Sequence, residues 1–324
     1  MIDVRKVPLR STFLSTALGK CFRRAKLEVE HPPANLPHYF LGGQMFALMV
    51  EAHFSQGVRM DPHELAATAF TLATTQASYS TSFTPKNKPK IDMKLVLIDR
   101  CATYFAEFID WMNRSGFTVI GCEVEVRSQT ESGRDVAIKI DILATMDGEV
   151  FLLDIKTFGM WGVSVTASAI TKEQLRQSLQ VALYVYILER GGDIYIGGNI
   201  GRTETNKAVR ARLNPIAGKI KPDHVGYINI AMLGRRKKTT KNGNAGEFFG
   251  SPLETIPYSP SMVEYAVESI DAVEILMTFK KFPRVQKFER GYSTCISCSF
   301  KQDCWGGRAA PGPTPKWLAD RSTK

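Results

Sequence analysis

The chain has no apolar run approaching the roughly 20 residues that a membrane-spanning helix needs. Its opening residues, Met-Ile-Asp-Val-Arg-Lys-Val-Pro-Leu-Arg, lack the apolar core of a signal peptide. A cytoplasmic protein with no membrane partner is therefore expected. No internal repeat is present, which argues against a solenoid or propeller. Acidic residues are in short supply: 32 Asp and Glu stand against 42 Lys and Arg, a net charge of +10. That balance favours a polyanionic partner. The six cysteines, in a reducing compartment, point to metal binding or free thiols rather than disulfides.

What is present is an ordinary globular composition, 44% hydrophobic and 23% charged over 324 residues. That is enough chain for one elaborated domain or two small ones. Residues 11–30 read as a short helix, 40–56 as an apolar helix, and 93–114 as a long helix. Asp61-Pro62-His63-Glu64 is a helix start, with Asp as cap, Pro in the first turn and Glu three residues on; that helix runs to about Gln76. Residues 117–127 alternate as a strand. Residues 171–189 read as a helix, 193–200 and 225–233 as apolar strands, and 260–281 as a further helix. A basic loop is expected over 207–221, and Arg235, Arg236, Lys237 and Lys238 open a basic, turn-rich segment. Helices, then strands, a helix and more strands describe an α/β protein with a central mixed sheet flanked by helices.

The most informative stretch runs from Asp141 to Lys156. Asp147-Gly148 between two apolar, β-branched runs is a strong hairpin signal. A two-residue loop fixes the register and sets Asp141 opposite Asp154. Like charges directly opposite each other destabilise a sheet, so a cation between them is expected. Lys156 lies two residues beyond Asp154 and points to the same face. The other face would pair Ile140 with Ile155 and Ile142 with Leu153. The register also brings Lys139 opposite Lys156, so either the strands diverge there or Lys139 bends out to solvent. Two acids and an ammonium around a divalent ion are parts suited to phosphodiester hydrolysis.

These residues resemble the PD-(D/E)xK nuclease superfamily, in its RecB-like exonuclease branch. Asp154-Ile-Lys156-Thr157 matches the D/E-x-K-T strand, and Asp141 matches the upstream aspartate. Gln180-Val-Ala-Leu-Tyr184 matches the Q-x3-Y helix element, with both residues on one helix face. Glu123 fits the acid often found on the preceding strand. The resemblance implies a restriction-endonuclease-like core and a metal-dependent DNA exonuclease. Asp141, Asp154 and the backbone carbonyl of Ile155 would hold Mg²⁺ or Mn²⁺, with Glu123 as a further candidate. Lys156, Gln180 and Tyr184 would act on the water and phosphate, and the Arg235–Lys238 run would track the DNA backbone. No G-x4-G-K-[ST] phosphate loop is present, so unwinding would need a helicase or recombination partner.

Cys295-Ile-Ser-Cys298 and Cys304, together with the distant Cys21, extend the likeness to the iron–sulfur staple of AddB-type and CRISPR spacer-acquisition nucleases. Four thiolates suit a 4Fe–4S cluster and also tetrahedral zinc; the resemblance favours the cluster. Cys101 and Cys122 are expected in the core. The organisation implied is a helical N-terminal cap over 1–115 that contributes one cluster cysteine. A nuclease core with a basic insertion would follow over 116–290, then a cysteine cluster over 291–306 and a flexible tail over 307–324. One element departs from the pattern. The branch commonly carries a metal-binding histidine four residues after a glycine; Phe46 and Ala47 stand at those places here, with Gln44, Glu51 and His53 nearby. Two alternatives follow: a decayed DNA-binding recombination accessory protein, or an endonuclease on the same fold.

Overall fold

The structure is a computed structural model; it describes residues 8–19, 21–30, 36–55, 57–76, 79–80, 92–157, 172–195, 216–230, 233, 238–239, 245–246 and 252–278. The helices are α1 (Ser11–Gly19), α2 (Phe22–Glu30), α3 (His38–Ser55), α4 (Pro62–Gln76), α5 (Met93–Ser115), α6 (Lys172–Arg176), α7 (Leu179–Arg190) and α8 (Pro260–Thr278). Strands β1 (Leu36–Pro37) and β2 (Tyr79–Ser80) form a short parallel pair. The main sheet comprises β3 (Thr118–Gln129), β4 (Asp135–Met146), β5 (Glu149–Lys156), β6 (Gly192–Tyr195), β7 (Ile216–Gly218), β8 (His224–Asn229) and β11 (Leu253–Pro257). A small ribbon, β9 (Lys238–Thr239) with β10 (Ala245–Gly246), stands apart from it.

The sheet is seven-stranded, in the order β11-β8-β5-β4-β3-β6-β7. Within it only β5 and β8 run parallel; every other neighbouring pair is antiparallel. The mixed α/β sheet is as the sequence led one to expect. The hairpin turn falls on Asp147 and Gly148, with φ of 52° and 84°. Two positive φ values in succession give the type I′ turn whose twist suits a two-residue loop.

Helices cover both faces. α3, α4 and α5 bury Phe46, Leu97, Phe105 and Phe108 against Ile142, Phe151 and Leu153 on one face. α1, α2, α7 and α8 bury Leu14, Leu183, Ile187 and Ile270 against Val126, Ile138 and Leu152 on the other. Residues before Ser115 thus contribute to both layers rather than to one. Leu9 adds a parallel bridge to Val136 at the sheet, with backbone bonds of 2.9 Å each way.

Local chemistry sets the boundaries. Asp61 Oδ1 accepts the amide of His63 at 2.8 Å, which caps α4 just ahead of Pro62. Asp92 accepts the amide of Lys94 at 2.9 Å to open α5, and Gly116, at φ 79°, closes it in the left-handed conformation.

Four elements differ from expectation. The helix expected over 11–30 is two helices meeting at Cys21, whose amide donates to Thr16 at 2.7 Å. The helix expected over 171–189 breaks into α6 and α7, because Ser178 turns out of the helix to cap Val181. Part of the basic loop expected over 207–221 is β7, which pairs with β6. Lys238, within the basic turn-rich segment, lies in β9.

Candidate active site

The β4–β5 ladder runs from Met146↔Glu149 to Ile142↔Leu153 and stops there. Asp141 and Asp154 therefore sit one step past the last pair, where the strands begin to part. β3 is irregular at the same level. Cys122 pairs with Ile142 and Val124 with Ile140, but Glu123, at φ 53°, pairs with nothing in the ladder. Side-chain alternation changes face across this level. Val124 and Ile140 pack on the α7 side, whereas Cys122 and Ile142 pack on the α3–α5 side. The expected Ile140–Ile155 pair does not form, since Ile155 packs against the α3–α5 cluster instead. Nor do Lys139 and Lys156 oppose one another: Lys139 ion-pairs with Glu123.

At this fork, side chains replace the ladder. Asp141 Oδ2 accepts the amide of Ile155 at 2.7 Å. β5 continues beside β8, with Asp154 level with Tyr227 and Lys156 level with Asn229. Asp154 and Lys156 face α7. Lys156 Nζ lies 2.5 Å from Asp154 Oδ2 and donates to Gln180 Oε1 at 3.3 Å. Gln180 Nε2 donates to Asp154 Oδ1 at 2.8 Å and to the Tyr184 hydroxyl at 2.6 Å. An ammonium can only donate, so the amide oxygen must face Lys156 and the amide nitrogen must face Asp154 and Tyr184. Ser178 aims this helix, its hydroxyl accepting the Val181 amide at 3.4 Å.

Burial decides the electrostatics. The Asp141 carboxyl is pushed up to about 7, first by burial and then by the neighbouring Asp154, against the pull of the Ile155 amide and of Lys156. Asp154 is also raised, by burial, although Lys156 opposes the shift. Burial works against the Lys156 ammonium, but Asp154, Tyr227 and Asp141 outweigh it, so its proton is held more tightly than usual. The Tyr184 hydroxyl is raised well above its ordinary value by burial and by the two aspartates. It stays protonated and serves as a hydrogen-bond partner.

Asp141, Asp154, Lys156, Gln180 and Tyr184 are thus brought together. Glu123 is turned to Lys139. Cys21 is buried at the α1–α2 corner, while Cys295, Cys298, Cys304, Arg235, Arg236 and Lys237 lie outside the described residues. Cys101 and Cys122 are core thiols. Two neighbours, Tyr227 and Ser11, were not evident from sequence as parts of this site, and a third, Glu51, was named only as lying near the missing histidine. The Tyr227 ring lies under Lys156 Nζ, 4.7 Å from its centroid. Ser11 hydrogen-bonds Tyr184. Burial raises the Cys122 thiol, and Glu51, 1% exposed on α3, adds to that effect together with Asp141, so it lies over the same stretch of sheet. A tyrosine in an apolar strand gives no local sign of which residue it will face across a parallel pair.

Carboxylate and carbonyl oxygens at the fork are the donors that hard divalent cations take. An aspartate raised by burial and by the charge of its neighbour, as Asp141 is beside Asp154, is what such a cation would relieve. Among the described residues, no three His, Cys, Asp or Glu side chains converge as a metal-ligand group. Among them, too, no helix is long and apolar enough to cross a membrane.

No family model matches the chain. No curated protein matches it. One solved structure, described as the crystal structure of SSO0001, aligns at 9% identity over 90% of this chain and 93% of that chain, with a TM-score of 0.30. A likeness that low carries no argument about fold or function.

Proposed function

We propose that this protein is a metal-dependent deoxyribonuclease of the PD-(D/E)xK kind, acting as an exonuclease on DNA ends. The observation that carries the reading is the fork. The half-buried Asp141, the buried Asp154, a lysine and a glutamine meet where β4 and β5 part and β8 runs parallel to β5. Asp141, Asp154 and the carbonyl of Ile155 would hold Mg²⁺ or Mn²⁺, which polarises the phosphate and lowers the pKa of a bound water. The Ile155 amide already points into the fork, and in an antiparallel strand the carbonyl of the same residue points to the same side.

The remaining roles belong to side chains. Lys156, held protonated by its neighbours, orients the water and offsets charge on the phosphorane-like transition state. Gln180 fixes Asp154 and Lys156 relative to each other through its amide. Tyr184 holds Gln180 in that orientation. The net charge of +10 and the Arg235–Lys238 run favour the phosphate backbone without reading bases. Cys21, with Cys295, Cys298 and Cys304, forms a 4Fe–4S staple in this reading, with zinc as the alternative occupant. A helicase or recombination partner would supply any unwinding.

A second reading is a DNA-binding protein with a decayed active site. It is favoured by Phe46 and Ala47 standing at the places where the family's histidine would fall. End-labelled linear and closed circular single strands, incubated with Mn²⁺ or with EDTA, separate the possibilities. Loss of the linear strand alone, and only with Mn²⁺, is expected. Cleavage of circles would make the protein an endonuclease, and binding without cleavage would establish the decayed form.

A further inference from the structure

We propose that Tyr227 is a positioning residue that seats the Lys156 ammonium during cleavage; this rests on the nuclease reading above. Among the described residues, Lys156 has three close neighbours: Asp154 Oδ2 at 2.5 Å, Gln180 Oε1 at 3.3 Å and the face of the Tyr227 ring at 4.7 Å. The last distance is within the roughly 6 Å over which a ring quadrupole attracts a cation. Asp154 is the neighbour that a divalent cation would claim as a ligand. Once its oxygens serve that cation, the ring and the Gln180 oxygen remain to hold the ammonium.

The ring is fixed for this task. Tyr227 is 3% exposed and level with Asp154 across the parallel β5–β8 pair. Its hydroxyl donates to Ser178 Oγ at 2.5 Å. Ser178 is the residue that caps α7, and Gln180 lies in the first turn of that helix. One tyrosine therefore sets both remaining partners of Lys156 relative to each other.

The test keeps the ring's shape and changes its electronics. In the full chain, position 227 is made Phe, then phenylalanines carrying one, two and three ring fluorines, which weaken the negative face stepwise. On end-labelled linear single strands with Mn²⁺, Tyr227→Phe loses the hydroxyl's hold on Ser178 and should lower kcat; it is the reference for the fluorinated series. Fluorination should then lower kcat progressively, to about tenfold for the most fluorinated ring, with KM and melting temperature unchanged. A second readout needs no activity. In an Asp154→Asn background, where the ion pair is gone, acetylation of Lys156 by acetic anhydride is followed by mass spectrometry and should accelerate with fluorination.

If neither kcat nor acetylation responds to fluorination, the seat is wrong. If acetylation responds and kcat does not, the ring holds the lysine but does not serve cleavage, and the proposal fails. If the parent degrades no DNA while acetylation still follows the ring, the nuclease reading fails and the cation seat stands without it.

Discussion

Asp141 and Ile155 are joined through a carboxylate and a backbone amide, 2.7 Å apart, at the point where the β4–β5 ladder ends. The carboxylate does the work of a ladder carbonyl. Its charge is therefore separable from its hydrogen bond.

Asp141→Asn tests that separation. The amide oxygen can still accept from Ile155, and the repulsion with Asp154 is gone. The parent carboxyl titrates near 7 when folded and near about 4 when unfolded. Between those values the folded protein holds a proton that the unfolded chain has lost. Its stabilising effect is full at low pH and is lost as pH rises through 7. In EDTA at pH 8 the variant should be more stable than the parent by at least about 1 kcal/mol, or roughly 2–4 °C. At pH 5 the difference should be clearly smaller, and it should vanish below the unfolded value of about 4. Equal differences at both pH values would rule out the charge as the cause, and any residual cleavage by the variant would count against the metal site.

Metal binding should release a proton. Since Asp141 is pushed up to about 7 and ligation needs the carboxylate, Mn²⁺ affinity should rise by about tenfold per pH unit up to neutrality and then level off. Calorimetry at several pH values, in buffers of different ionisation enthalpy, measures both the affinity and the proton count.

Gln180 and Tyr184 should behave differently although they touch. Gln180→Ala unlinks Asp154 from Lys156 and should cost about tenfold to a hundredfold in kcat, the range for removal of a positioning or electrostatic interaction. Tyr184→Phe removes a hydroxyl that, among the described residues, hydrogen-bonds Gln180 and Ser11. It should cost about 1 kcal/mol of stability and little activity. Equal losses of kcat would make Tyr184 a catalytic residue rather than a brace.

Anaerobically purified protein should be brown, with iron and labile sulfide in equal amounts. Cys21 is buried where α1 meets α2, and α1 carries Ser11 to Tyr184. Cys21→Ala should lose the colour and lower the melting temperature, with activity falling through misfolding. Cys101→Ala should keep the colour. One zinc per chain without sulfide would replace the cluster with a zinc staple.

Neutralising Arg235, Arg236, Lys237 and Lys238 should weaken DNA binding on all sequences alike. The salt slope on single strands should fall by about 0.7 for each phosphate that the protein no longer neutralises. An unchanged slope would reduce the run to a solvated loop.

The hairpin was legible because its signal is local. Asp147-Gly148 supports only a narrow set of turns, and that turn fixes the register as far as Ile142↔Leu153. What lies beyond was not legible, because the fork arises from competition between side chain and backbone. Glu123 takes a positive φ, Asp141 takes an amide, and the alternation shifts face. No pattern of period two encodes that. The helix break at Ser178 was readable in principle, since serine favours caps over helix interiors. Tyr227 was not readable, because its place depends on a parallel pairing across the segment between residues 157 and 223.

That pairing has a consequence for how the protein comes to be active. β3, β4 and β5 are consecutive antiparallel neighbours, so their contacts are short in sequence and can form early. The β5–β8 pair closes a long loop, and contacts of that kind form slowly. The two aspartates are then brought near each other before β8 delivers the ring and before α7, through Ser178, is aligned with it. A chain still folding carries the acids before Tyr227 and Gln180 stand beside Lys156, and in the nuclease reading cleavage would begin only when the non-local half of the sheet has closed.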